Sequence, residues 1–128
     1  MRATKFHRLG DLQLRIMKAL WARGEATVGD IQGAIPGGAD LAYTTIATML
    51  RKMETRGLVD HRADGRTFVY CAVVAEDQVS RGMAEHVLDR LFGGSVEALV
   101  NNLLSTREVS RDELARIERA VAQRRRQA

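Results

Sequence analysis

Apolar positions along the chain recur at two periods, and the change between them marks out its parts. From Asp11 to Arg23 the residues Leu12, Ile16, Ala19 and Leu20, widened by Met17 and Trp21, keep helical spacing. Asp11 is placed to cap this helix and Gly24 to stop it. Val28, Ile31 and Ile35 predict a second, shorter helix, N-capped by Thr27 and ended by Pro36-Gly37-Gly38. Ile46, Met49, Leu50 and Met53 define a third helix over about residues 43–56, with Asp40 as a capping candidate and Gly57 at C′. The period then falls to two. Residues 58–63 and 67–74 read as strands joined through Asp64-Gly65, a two-residue hairpin signal. Three helices followed by a hairpin is the order of a winged helix-turn-helix, with the hairpin as the wing.

Beyond residue 75 the pattern is helical throughout. Val79, Met83, Val87 and Leu91 repeat every four residues, with Ala84 and Leu88 beside them, until Gly93-Gly94 breaks the run. Ser95 is placed to cap a helix carrying Val96, Leu99, Val100, Leu103 and Leu104. Ser110-Arg111-Asp112-Glu113 reads as a capping box, with Val109 and Leu114 as its hydrophobic staple, and Leu114, Ile117 and Val121 follow on one face. Three narrow stripes make a thin core, so the apolar faces call for a cover, most economically a second copy of the chain. The other option is that these helices fold back on the wing domain. The expected fold is mainly α with a small β-hairpin. Residues 1–75 form a winged-helix DNA-binding domain and residues 76–128 a helical dimerisation domain, with Val79, Met83, Val87, Leu88, Leu91, Leu99, Val100, Leu103, Leu114, Ile117 and Val121 at the dimer contact.

Composition narrows the function. The 128 residues are 45% hydrophobic and 28% charged, which is globular rather than disordered. Residues 1–75 carry 11 Lys/Arg against 7 Asp/Glu, while residues 76–128 carry 9 of each, so the whole excess of positive charge lies in the first part. An acidic partner such as a phosphate backbone is expected there. Cys71 is the single cysteine, which excludes an internal disulfide and a thiolate cluster, and its apolar surroundings predict a core position. No apolar run approaches a membrane span, and residues 1–13 lack a signal peptide's apolar centre, so a cytoplasmic location without membrane insertion is expected. His7, His61 and His86 share no spacing, and a nucleophile elbow, a Gly-rich phosphate loop and a metal-protease helix are all missing. His86 beside Glu85 and Asp89 reads as a solvent-facing helix. Enzyme activity, a bound metal and a cofactor are therefore not expected.

The third helix carries the chemistry. With Ile46, Met49, Leu50 and Met53 facing inward, its outer face bears Thr44, Thr45, Ala47, Thr48, Arg51, Lys52 and Thr55. Short side chains let a helix settle into a groove about 12 Å wide, where threonine meets base edges or a thymine methyl. Arg51 and Lys52, one turn on, suit phosphates or a guanine edge. Threonine is a mediocre helix former, so three of them within Thr44–Thr48 on an exposed face need a reason. Thr27 at the second helix's start can reach a phosphate, and Arg62 and Arg66 put charge on the wing.

These residues resemble a known family. LGDLQLRIMKALWARGEATVGDI, LAYTTIATMLRKMETRGLV, the RTFVY strand and LDRLFGGSVEALVNNLLSTREVSRDELARIE are similar to the penicillinase/methicillinase repressors of BlaI/MecI type, over about residues 8–122. The resemblance implies a homodimer that binds a dyad-symmetric double-stranded operator and represses β-lactamase or related antibiotic-response genes. Thr45 and Thr48 match the family's recognition-helix positions, with Ala47 standing where some members are basic, and Tyr43 is a further candidate DNA contact. The resemblance further implies release by proteolysis in the dimerisation region, triggered by a membrane-bound sensor metalloprotease. The cleavage point aligns with Asn102-Leu103, matching at the asparagine and differing at Leu103, where well-known members carry phenylalanine. The cysteine cluster of the copper-responsive branch is missing. Two other readings use the same elements: a winged-helix regulator that releases DNA on binding a small molecule, and an interaction adaptor that does not bind DNA. The aromatic poverty of residues 76–128 speaks against the first and the basic N-terminal part against the second.

Overall fold

The helical spacing of Leu12, Ile16 and Leu20 becomes α1 (Asp11–Arg23), whose Ile16, Met17 and Leu20 are fully buried. The computed structural model describes residues 8–128, so His7 lies outside the described residues. Asp11 is the first helical residue rather than the cap. Gly10 holds that place, and its N–H donates to Oε1 of Gln13 at 2.9 Å. After Gly24 comes a strand that the pattern did not announce, β1 (Glu25–Thr27), too short to show alternation. Then follow α2 (Val28–Ala34), a 3-10 turn at Gly38–Asp40 and α3 (Tyr43–Thr55). Asp40 does not cap α3; Ala42 does, without a side-chain bond. The α2–α3 turn is tight because Gly38 lies against α2, where a Cβ would run into the Gln32 carbonyl and the Ile35 side chain. Gln32 also donates to the Leu41 carbonyl at 2.8 Å, tying the turn's far end to α2.

The wing is β2 (Val59–Asp64) against β3 (Thr67–Ala72), and β1 pairs on β3's other side, giving an antiparallel sheet of order β1-β3-β2. Asp64 pairs with Thr67, so the two-residue loop is Gly65-Arg66, one residue later than the Asp64-Gly65 expectation. Gly65 has φ of 63° and Arg66 a negative φ, as a type II′ turn requires. Ala26, Tyr70 and His61 lie in register on the inner face of the sheet, towards the helices. On the outer face sit Glu25, Val69, Cys71 and Arg62. Cys71 is therefore exposed, contrary to its expected core position, because strand alternation sends it outward.

The core joins Ile16, Met17 and Leu20 to Val28 and Ile31, to Ile46, Leu50 and Met53, and to Leu58, Val59 and Tyr70. Full burial of such a side chain contributes about 1.5–3 kcal/mol. Trp21 Nε1 donates to the Val74 carbonyl at 2.9 Å, returning the chain after β3 to α1. The chain then enters α4 (Glu76–Phe92), α5 (Val96–Thr106) and α6 (Arg111–Gln127).

By compactness the chain divides between His86 and Val87, inside α4 rather than at 75/76. The first half of α4 belongs to the first unit. Val79, expected at a dimer contact, is only 1% exposed in the single chain, so a partner could remove almost none of its surface from water. The second unit holds α5 and α6, neither of which has a fully buried residue. Ser95 Oγ accepts from Ala98 N at 3.0 Å, and Ser110 Oγ from Glu113 N at 3.1 Å, as their positions foretell. No helix among the described residues is long and apolar enough to cross a membrane.

Candidate nucleic-acid interface

Burial fixes the rotation of α3. Ile46, Leu50 and Met53 are inaccessible, and Thr44, Thr45, Thr48, Arg51, Lys52 and Thr55 are consequently all exposed on the opposite side. Ala47 is half-buried rather than outward, since it packs at the edge of the core. Thr55 bonds back to its own helix at the Arg51 carbonyl, 3.1 Å away. The Arg51 guanidinium has only a 3.5 Å approach to Thr48 Oγ1, at the limit of a hydrogen bond. A hydroxyl face and two exposed cations thus share one side of the helix.

The wing stands beside this face. Tyr43, Ala47 and Arg51 of α3 and Arg66, Thr67, Phe68 and Tyr70 of the wing line a cleft of about 240 Å³. Arg66 sits in the hairpin loop itself. Tyr43 and Phe68 are about half exposed (55% and 49%), so the cleft has two aromatic edges. Phe68 was missed in the sequence; its only signal there is an aromatic residue two positions after the turn.

The two supporting contacts inferred from the sequence are differently placed. Thr27 caps α2: its hydroxyl accepts from Asp30 N, and its own N–H donates to Asp30 Oδ2, each at 3.1 Å. The Thr27 N–H first, then a side-chain hydrogen bond from Thr27, and last the nearby Arg23 cation hold the Asp30 carboxyl below its usual range. Two N–H groups expected to meet a phosphate are thereby occupied, and a carboxylate sits beside them. Arg62 reaches across β3 on the outer face to Glu25 at 2.9 Å, and that hydrogen bond, followed by the charge of Glu25, raises its pKa. The pair is exposed, and a phosphate can compete with such a pair for the guanidinium.

His61 is the residue whose neighbours the spacing did not reveal. From β2 its Nδ1 meets Glu54 Oε1 of α3 at 2.6 Å, with the ring 4.3 Å from Phe68 and 5.5 Å from Tyr70. These residues, with Arg51 and Thr55, border a second cleft of about 410 Å³. Burial, and next the Glu54 charge, raise the Tyr70 pKa, while Arg51 opposes them. Glu54, Asp60 and His61 bring potential metal-ligand atoms within 4.8 Å of one another. Two of those groups already bond each other, and Asp60 Oδ1 accepts from the His61 N–H at 2.8 Å.

Of the expected dimer residues, Val87, Leu91, Val100, Leu103, Ile117 and Val121 are exposed, and Met83, Leu88, Leu99 and Leu114 are half-buried. Asn102-Leu103 lies inside α5, where the Asn102 carbonyl also accepts from Ser105 Oγ at 3.0 Å and Thr106 Oγ1 at 2.7 Å.

Residues 9–123 match the penicillinase repressor family. The transcriptional regulator BlaI of Mycobacterium tuberculosis is 33% identical over 122 residues, covering 94% of this chain and 87% of that protein. The penicillinase repressor of Bacillus licheniformis is 24% identical, covering 86% of each. The solution structure of the DNA binding domain of the repressor BlaI is 25% identical with a TM-score of 0.49, covering 56% of this chain and 87% of that one.

Proposed function

The chain belongs to the penicillinase repressor family of transcriptional regulators, which are not enzymes, and we propose on that footing that it is a cytoplasmic repressor that binds a dyad operator as a homodimer. The observation that carries the proposal is the exposed face of α3, where Thr44, Thr45 and Thr48 are followed by Arg51 and Lys52, which form no ion pair among the described residues, beside a wing tipped by Arg66. A helix with its side chains is about 10–12 Å across, which fits the major groove. The threonine turn reads base edges, and Arg51, Lys52 and Arg66 hold phosphates and set the register. Arg62 joins them only by leaving Glu25. Thr27 acts by fixing the end of α2 rather than by offering free N–H groups.

The apolar residues of α5 and α6 support pairing with a second copy: Val100, Leu103, Leu104, Ile117 and Val121 are each 38–51% exposed in one chain. A dimer reads two half-sites at once and gains avidity from the pairing. Release follows from cleavage at Asn102-Leu103 by a membrane-bound sensor protease. The bond lies in a helix, so α5 has to open locally before a protease can take it as an extended segment.

Titration of the full chain against DNA from its own upstream region tests the proposal. One site should bind far more tightly than random sequence, and binding should weaken by roughly 10³–10⁵ between 50 and 200 mM salt if ~6–10 phosphates are neutralised. Equal affinity for random and candidate operator DNA would refute it.

A further inference from the structure

We infer that His61 is a positioning residue for DNA recognition: it holds the Glu54 carboxylate against the wing, leaving Arg51 free for DNA. The inference rests on the DNA-binding reading above. Glu54 follows Arg51 by three residues on α3, a spacing at which an acid and a base meet across one helical turn. Both line the same cleft, and both charges act on the Tyr70 hydroxyl. Despite this, Arg51 forms no ion pair among the described residues, and the Glu54 carboxylate turns to His61 at 2.6 Å.

The wing's register makes that turn available. His61 pairs with Tyr70 and so faces α3, and Phe68 and Tyr70 pack beside its ring. Asp60 Oδ1 accepts the His61 backbone N–H, fixing the same residue from the strand edge. Each partner's side chain is about one-third exposed (30% for His61, 32% for Glu54), so solvent reaches the bond less than it would a surface pair. Without His61, the carboxylate has two outcomes, both adverse to DNA. It can capture the Arg51 guanidinium, or it can stand unpaired on the helix that approaches phosphates. A merely structural histidine, holding the wing by its ring, would have neither consequence.

The test uses the full chain and DNA from its own upstream region, in fluorescence titrations at two salt concentrations. His61→Phe keeps an aromatic ring and loses the bond, and it should weaken operator binding roughly tenfold. His61→Gln, which can still donate to Glu54, should recover most of that loss. Adding Glu54→Gln to His61→Phe should also restore binding, because the released carboxylate is then gone. A double variant as weak as His61→Phe alone, or a His61→Phe chain that binds as the parent does, overturns the positioning role while the repressor reading stands. Absence of specific binding by the unaltered chain overturns the repressor reading and this inference with it. Thermal unfolding of each variant separates these results from a loss of fold.

Discussion

The two units of this chain use similar proportions of apolar sequence to opposite ends. In the first, Ile16, Leu20, Ile31, Ile46, Leu50 and Leu58 have no accessible surface, and the chain closes its own core from α1, α2, α3 and the sheet. In the second, Leu91 is 73% and Val96 62% exposed, and α5 and α6 bury nothing fully. A piece of roughly 40 residues rarely buries enough surface to stand alone, and association is one usual remedy. The same kind of residue thus specifies a fold in one unit and stays at the surface in the other. Under the proposed function, loss of the dimer would weaken DNA binding without damage to α3.

The comparison breaks most visibly at Leu103. Leu103→Asp should convert the dimer to monomer in sedimentation and lower operator affinity by about 10²–10⁴ through lost avidity. The first unit's melting transition should survive. A dimer that persists would remove the contrast. Leu50→Ala probes the other side: a cavity in the closed core should cost about 2–5 kcal/mol whatever the protein concentration, measured by denaturant titration. Gly38→Ala presses a methyl group on the Gln32 carbonyl and should cost about 1–3 kcal/mol, lowering the melting temperature of the first unit.

Arg51→Ala sharpens the division between folding and reading. It should leave the melting temperature in place, weaken operator binding roughly tenfold and reduce the salt slope by about 1. The smallest effect is expected at the α2 cap, where Thr27→Ala should cost about 1 kcal/mol. The Asp30 carboxyl is lowered when folded, so its contribution to stability is present above the unfolded value near ~3.9 and lost as pH falls through the folded one. Asp30→Asn should therefore flatten the acid limb of the stability curve below about pH 4, as followed by circular dichroism.

The sequence alone determined the order of the six helices and the hairpin, because each amphipathic stripe has to hide one face and the period of that stripe names the element. Ile46, Leu50 and Met53 already oriented α3, and turning them inward left Thr44, Thr45, Thr48 and Arg51 outside. The stop at Gly57 and the caps at Thr27, Ser95 and Ser110 were legible for a similar reason: a terminal N–H or a positive φ selects few residue types. Long-range pairing left no such mark. Only the tertiary structure added β1, whose three residues find their place because β3 has a free edge. Strand register then sent Cys71 outward, joined Arg62 to Glu25 across the sheet and moved the hairpin loop to Gly65-Arg66. Val79 entered the first unit by the path of α4, and His61 met Glu54 because β2 returns beneath α3. Periodicity records which face of an element is dry; which side chain from elsewhere in the chain lies against that face depends on packing in three dimensions.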